Sequence, residues 1–115
     1  MKKKKISKKE QFSYIFKNGK FMSFDYFTIN YAKKLSRENN ALLSYGIITS
    51  KKVGNAVKRN FAKRRVKALK NLFSINAMKE LDYIVVVKKK LLAVKFKKLS
   101  LEFEKALHKI KKSTL

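Results

Sequence analysis

The sequence contains no cysteine, no tryptophan and no proline, and only three glycines and one histidine among its 115 residues. Without cysteine there can be no disulfide, no thiol nucleophile and no cysteine-ligated zinc, and a single histidine cannot build a metal cluster. The absence of cysteine agrees with the reducing cytoplasm, which is the location we predict. Acidic residues are also scarce, and Asp25, Glu80, Asp82, Glu102 and Glu104 show no metal-ligand spacing. We therefore expect no metal site and no catalytic residue in the polypeptide.

Long apolar runs are missing as well. The longest, YIVVV at 83–87 and LLAV at 91–94, are separated by three lysines and are too short to cross a bilayer. The N-terminal MKKKKI is similar to the start of an export signal, but Ser7-Lys8-Lys9-Glu10 follows in place of an apolar segment. We therefore predict an unexported protein without a membrane partner.

Positive charge dominates what is present. There are 31 lysines and arginines against 7 acids, which gives a formal net charge of +24 and indicates a polyanionic partner. Much of the lysine excess fits a compositional bias, so the arginines are more informative. Three of the four lie in KVGNAVKRNFAKRR at 52–65. The length predicts one domain at 7–112, preceded by a disordered basic tail at 1–6.

The first half of the chain predicts one helix and then strands. Ser7 and Glu10 have the spacing of a capping box, and Phe12, Ile15 and Phe16 recur at helical spacing before Gly19. The segment DYFTINYAK (25–33) alternates as a half-buried strand does. After the turn-like LSRENN (35–40), LLSYGIITS (42–50) predicts a second strand antiparallel to the first, with a third possible through Gly46.

The second half predicts a basic helix over 56–73 with Asn55 as N-cap, then a strand at 82–88 that is buried on both faces. Apolar residues at helical spacing from Phe96 to Ile110 predict a final amphipathic helix. The predicted class is α+β: one central sheet of about four strands covered by helices, in the order helix, strands, helix, strand, helix.

A helical projection of residues 56–73 separates two faces. The predicted apolar arc consists of Val57, Phe61, Ala62, Val66, Ala68, Leu69, Leu72 and Phe73. The cationic stripe consists of Arg59, Asn60, Lys63, Arg64, Lys67 and Lys70. Lys58 and Arg65 fall on the apolar side, where their side chains must snorkel. Because 39–79 contains no acid, these like charges destabilise an isolated helix, which favours a nucleic-acid-binding face over a merely solvated one.

SKKVGNAVKRNFAKRRVKA (50–68) resembles the signature of the bacterial ribonuclease P protein component. FSYIFKNG (12–19) resembles that family's first helix and DYIVVVK (82–88) its buried strand, so the resemblance covers about residues 7–110. It implies a left-handed crossover between parallel strands, an exception to the usual hand.

The resemblance also implies a function. The protein would assist endonucleolytic removal of the 5′ leader from precursor tRNA, while the catalytic RNA and its Mg²⁺ perform the chemistry, with no obligatory protein partner. Contact with the catalytic RNA would fall to Lys51, Lys52, Asn55, Arg59, Asn60, Lys63, Arg64 and Lys67. The single-stranded leader would lie against Phe12, Phe16, Thr28 and Asn30.

Two residues depart from the family pattern. Phe61 stands where a third basic residue is common, and the projection places it in the core arc. Asn30 stands where an aromatic is common, so leader binding is expected either to weaken or to use Tyr26. Two other classes remain open: a structural protein of ribosomal RNA, without effect on precursor tRNA, and a cationic protein of membrane surfaces, which would bind anionic vesicles.

Overall fold

The computed structural model describes residues 8–34 and 45–114 and places a mixed β-sheet between helices. Its elements are α1 (Lys8–Asn18), β1 (Lys20–Ser23), β2 (Phe27–Lys33), β3 (Tyr45–Ile48), α2 (Ala56–Lys67), α3 (Lys70–Asn76), β4 (Leu81–Val87) and α4 (Phe96–Thr114). Two 3₁₀ turns, Lys51–Val53 and Lys89–Leu92, precede α2 and α4. The α+β class and the predicted order of elements are confirmed.

The strands of the described residues form one sheet in the order β1-β2-β4-β3. β2 is antiparallel to both β1 and β4, whereas β3 is parallel to β4. Parallel neighbours need a crossover connection, and the segment that contains α2 and α3 provides it. The left-handed sense of this crossover stays a prediction.

The two central strands are the ones that the sequence indicated best. In β2 the alternate residues Phe27, Ile29 and Tyr31 are buried, as the period-two pattern predicted. In β4, Val85 lies in the main core while Ile84 is buried on the opposite face. The prediction of a strand buried on both faces is therefore confirmed.

The strand predicted within 42–50 is β3, and its predicted antiparallel direction relative to the first strand, which is β2, is confirmed. β3 runs antiparallel to β2 in direction, but its hydrogen-bonded partner is β4. The other edge of β2 is occupied by β1, which the sequence did not reveal because KFMS has only Met22 partly buried and shows no apolar alternation. Residues 42–44, the LSRENN turn and the basic tail lie outside the described residues, as does Ser7 of the predicted capping box.

The predicted single helix over 56–73 is two helices. α2 ends at Lys67, and Leu69 has φ −87° and ψ 8°, outside the α-helical range, before α3 begins at Lys70. Leu69 and Phe73 are both buried in the main core. The break directs α3 against α4, so that tertiary burial overrides a continuous helical pattern.

Helices cover both faces of the sheet. α2, α3 and α4 contribute Val66, Phe73 and Phe103 to the main core, and α1 packs Ile15 on the other face. The ring of Phe12 lies directly on β3 at Gly46, where an added Cβ would overlap the ring. Glycine at this position thus lets α1 approach the sheet.

Candidate nucleic-acid interface

A tight turn places the basic residues at the start of α2. Val53 is buried and anchors the 3₁₀ turn, which leaves Lys51 and Lys52 exposed. Gly54, which follows the 3₁₀ turn, has φ +145°, a conformation that residues with a Cβ rarely adopt. The side-chain Oδ1 of Asn55 then accepts the Lys58 N–H at 3.0 Å, which confirms Asn55 as the N-cap.

The cationic stripe lies along the outer side of α2, except for its predicted last member, Lys70, which begins α3. Ala62 and Val66 face the main core, so Asn60, Arg64 and Lys67 on the opposite side are exposed. Arg59 and Lys63 are half-buried on one flank. Within residues 8–34 and 45–114, no carboxylate forms an ion pair with any cation of α2. The ion pairs Lys34–Asp82 and Lys105–Glu102 involve other elements. The stripe is therefore a positive surface without internal neutralisation.

Arg65 contributes to structure rather than to the stripe. Its guanidinium donates to the carbonyl oxygens of Leu91, at 2.6 Å, and of Val94. These bonds tie α2 to the segment that leads into α4. The sequence predicted that Arg65 would snorkel along the apolar side of the helix, and in the structure its charged end bonds backbone carbonyls there.

Part of the predicted apolar arc is outside the core. Phe61 is 39% exposed, and Val57 and Ala68 are also exposed. The predicted arc assumes one continuous helix with a wide buried side. In the structure the buried residues of α2 are Ala62 and Val66, which form a narrower line. The prediction that Phe61 is a core residue is thus wrong.

The predicted leader-binding residues lie on the α1 side of the sheet. Asn30 pairs directly with Ile84, and Thr28 pairs with Val86. Opposed residues on antiparallel strands project to the same side, and Ile84 packs with Ile15 of α1. Thr28 and Asn30, both half-buried, are therefore on the side that α1 covers.

Phe12 and Phe16 sit on α1 above this side. Phe12 is half-buried over Gly46, whereas Phe16 is 49% exposed. Tyr14 borders a pocket with Ala32 and Leu81, at the end of β2 far from Thr28. The flank of α1 that bears Phe16 consequently faces the Thr28 end. We call the region of Phe12, Phe16, Thr28 and Asn30 the α1–sheet surface.

The structure adds one aromatic residue that the sequence did not nominate. Phe21 of β1 pairs directly with Asn30, and its side chain is 68% exposed. It therefore borders the α1–sheet surface beside Asn30. Tyr26, the alternative named from the sequence, packs against the main core instead. Phe21 was missed because β1 itself was missed.

Two further searches were confined to the described residues. They contain no group of three or more histidine, aspartate or glutamate side chains that could hold a metal ion. None of the helices in that part of the chain is long and apolar enough to cross a membrane.

The fold and these surfaces define a small, strongly basic α+β protein with an unneutralised cationic helix, a class that binds polyanions. Comparison with known proteins identifies the family within this class. The family model described as Ribonuclease P matches residues 1–111. The ribonuclease P protein component of a Nitratiruptor species is 36% identical over 110 residues, which cover 93% of this chain and 92% of that protein. That of Shouchella clausii is 32% identical over 110 residues, 96% of this chain and 88% of that protein.

Solved structures agree. The ribonuclease P protein from Thermotoga maritima superposes with a TM-score of 0.72 at 26% identity, covering 91% of this chain and 96% of that one. The Staphylococcus aureus ribonuclease P protein superposes with a TM-score of 0.70 at 25% identity, covering 93% of this chain and 94% of that one. The chain belongs to the family of bacterial ribonuclease P protein components, which are subunits of a tRNA-processing enzyme.

Proposed function

We propose that this subunit binds the catalytic RNA of ribonuclease P and the 5′ leader of precursor tRNA, and so assists removal of the leader. The main support is the cationic stripe, whose charges find no carboxylate partner among the described residues. A phosphate backbone lying along the stripe would supply the missing counter-charges and release condensed cations.

The residues proposed to contact the catalytic RNA extend from the turn before α2 along its outer side. Lys51 and Lys52 precede the helix as exposed cations, and Arg64 presents a planar donor fork suited to phosphate oxygens. The capping bond of Asn55 orients the first turn of the helix. The full set is Lys51, Lys52, Asn55, Arg59, Asn60, Lys63, Arg64 and Lys67.

The leader is proposed to lie on the α1–sheet surface. Unpaired bases stack on aromatic side chains, and exposed Phe16 offers such a platform, while Thr28 and Asn30 offer hydrogen bonds. Phe21 adds a second exposed ring beside Asn30. This arrangement suits a single strand of varied sequence, because stacking discriminates little between bases.

The chemistry is assigned to the RNA partner. Hydrolysis of one phosphodiester would leave a 3′-hydroxyl on the leader and a 5′-phosphate on the tRNA. Mg²⁺, held mainly by the RNA, would stabilise the charge that develops at the reacting phosphate. The protein would hold the leader in place and reduce the repulsion between the two RNA chains, in the cytoplasm and without an obligatory protein partner.

The test adds the purified protein to the catalytic RNA of a bacterial ribonuclease P, with precursor tRNA labelled at its 5′ end, at physiological Mg²⁺ and salt. We expect protein-dependent release of the labelled leader, weakened in Arg64→Ala. Lys111→Ala is the matched control, because it removes an equal charge from an exposed position near the end of α4. Tight RNA binding without any effect on leader release would instead indicate a structural RNA-binding protein.

A further inference from the structure

The exposed side of α2 has two different flanks. Arg59 and Lys63 lie on one, and Val57 and Phe61, separated by one helical turn, lie on the other. Asn60 and Arg64 form the boundary between them. A polyanion on the cationic stripe would therefore have an apolar, partly aromatic surface directly beside it.

Phe61 belongs to a cluster that joins α2 to the start of α4. The guanidinium carbon of Arg65 lies 5.4 Å from the centroid of the Phe61 ring and 5.9 Å from that of Phe96. Both distances are within the range of a cation–π contact. We call these three residues the Phe61–Arg65–Phe96 cluster.

The cluster is held in place and is open to solvent. Hydrogen bonds to the Leu91 and Val94 carbonyls hold the Arg65 guanidinium beside both rings. Phe61 nevertheless remains 39% exposed and Phe96 41% exposed. Two large apolar side chains are thus kept at the surface, where their exposure costs free energy unless a partner covers them.

The surroundings select the chemistry of that partner. Lys58 and Arg64 flank Phe61 along the helix, and no acid occurs between residues 39 and 79. A second copy of this chain would bring the same cations against these ones, with repulsion as the result. A nucleotide matches both the cations and the exposed rings, because its phosphate is anionic and its base has a flat face that stacks on phenylalanine.

We propose that the Phe61–Arg65–Phe96 cluster is a stacking site for an unpaired RNA base whose backbone lies on the cationic stripe. This proposal rests on the proposed function, because it requires RNA to bind along the cationic stripe. It is separate from the α1–sheet surface, because α2 and α4 pack in the core on the other side of the sheet. Arg65 acts here as a positioning residue for the two rings.

The first test compares two probes: a single-stranded oligoadenylate, and an oligomer of the same length and charge in which the bases are absent. We expect Phe61→Leu, which keeps an apolar side chain but has no ring, to weaken binding of oligoadenylate roughly ten-fold. Binding of the abasic oligomer and its salt dependence should not change, because every cation remains. Leu101→Ala, an exposed apolar residue of α4 outside the cluster, is the control and should affect neither probe.

A second test uses the absence of tryptophan from the chain. Phe61→Trp introduces a single indole, whose fluorescence should be quenched by oligoadenylate and much less by the abasic oligomer. Ile75→Trp, at a position on α3 that is 78% exposed, reports binding elsewhere on the surface. Equal quenching at both positions, or by both oligomers, would overturn the proposal. Circular dichroism melts identify any variant that fails to fold.

The outcome for the cluster can be separated from the outcome for the proposed function. If the protein promotes leader release but Phe61→Leu binds both oligomers as the parent does, the cluster proposal alone is rejected. If the protein has no effect on leader release, the proposed function is rejected, and the difference between the two oligomers still decides the cluster.

Discussion

The Tyr45 hydroxyl donates a hydrogen bond to the Val66 carbonyl oxygen across 2.7 Å. This bond links β3 to α2 near the point where α2 ends. The Tyr45 ring also packs against Phe73 of α3, with 4.3 Å between ring centroids. One residue of an edge strand thus fixes both helices of the crossover, and through them the orientation of the cationic stripe.

Burial raises the pKa of Tyr45 to about 12, against 10.0 for the unperturbed group. Between these values the unfolded chain has lost the Tyr45 proton and the folded chain retains it. Stability should therefore fall as pH rises from about 10 towards 12. We expect Tyr45→Phe to be less stable at neutral pH, by about 1 kcal/mol, and to lose less stability across that interval. Urea denaturation at several pH values measures both effects.

Tyr83 is present in both proteins of this comparison, and burial raises its pKa as well. The difference between the two stability profiles therefore isolates Tyr45. Parallel profiles over the alkaline interval would contradict the prediction.

Gly46→Ala should destabilise the protein, because the new Cβ would overlap the ring of Phe12. Overpacking of this kind costs about 1–3 kcal/mol in the free energy of unfolding. Combined with Phe12→Ala, which removes the ring, the same substitution should cost much less than it does alone. A double-mutant cycle of denaturant midpoints measures the coupling, and strictly additive effects would show that the ring does not lie over Gly46.

Anions should stabilise the fold through the cationic stripe. We expect sulfate or phosphate to raise the melting temperature well above the value in chloride of equal ionic strength, because bound anions relieve repulsion along α2. Replacing Lys63 and Arg64 together by glutamine should raise stability in dilute buffer and reduce the sulfate effect. Lys111→Gln, remote from α2, is the control and should leave the sulfate effect intact. If the parent protein melts at the same temperature with and without sulfate, the cationic stripe is not an anion site.

Leader recognition should depend on the aromatic residues of the α1–sheet surface. Phe16→Ala and Phe21→Ala should each weaken the binding of precursor tRNA to the holoenzyme by about 1–3 kcal/mol, the range for loss of one stacked base. Mature tRNA, which has no leader, is the control and should bind unchanged. Asn30→Tyr should strengthen precursor binding, since it adds a ring beside Phe21. Equal effects on precursor and mature tRNA would show that these residues do not contact the leader.

The structure was predicted best from the sequence in those elements where the local residue pattern agrees with the burial seen in the fold. β2 has buried residues at every second position from Phe27 to Tyr31, and the apolar run of β4 is buried on both faces, so both strands could be predicted directly. Asn55 has the side chain that an N-cap needs, and it does cap α2. The cationic stripe follows from helical geometry, because Ala62 and Val66 face the core and the stripe lies on the side away from them.

Other features depend on partners distant in the chain. KFMS forms β1 because β2 offers a free edge, and nothing within those four residues indicates it. β3 pairs with β4 across the whole crossover, a choice that local patterns do not record. Arg65 looked like one more cation of the motif, yet its position is set by carbonyls in the segment before α4. Phe61 was predicted to be a core residue because the sequence does not show how wide the buried side of α2 is. That width depends on which distant elements pack against the helix.

The parallel pairing of β3 with β4 also has a consequence for the order of folding. The β1–β2 hairpin closes over a few residues, whereas β3 can join β4 only after the chain between residues 49 and 80 has closed into a loop. Because closing a longer loop costs more entropy, we expect the hairpin to form before β4 joins the sheet and before the segment with α2 packs against it. With no proline in the chain, prolyl isomerisation cannot delay refolding. The cationic stripe would then reach its place late, and a polyanion already bound to its charges would speed that step.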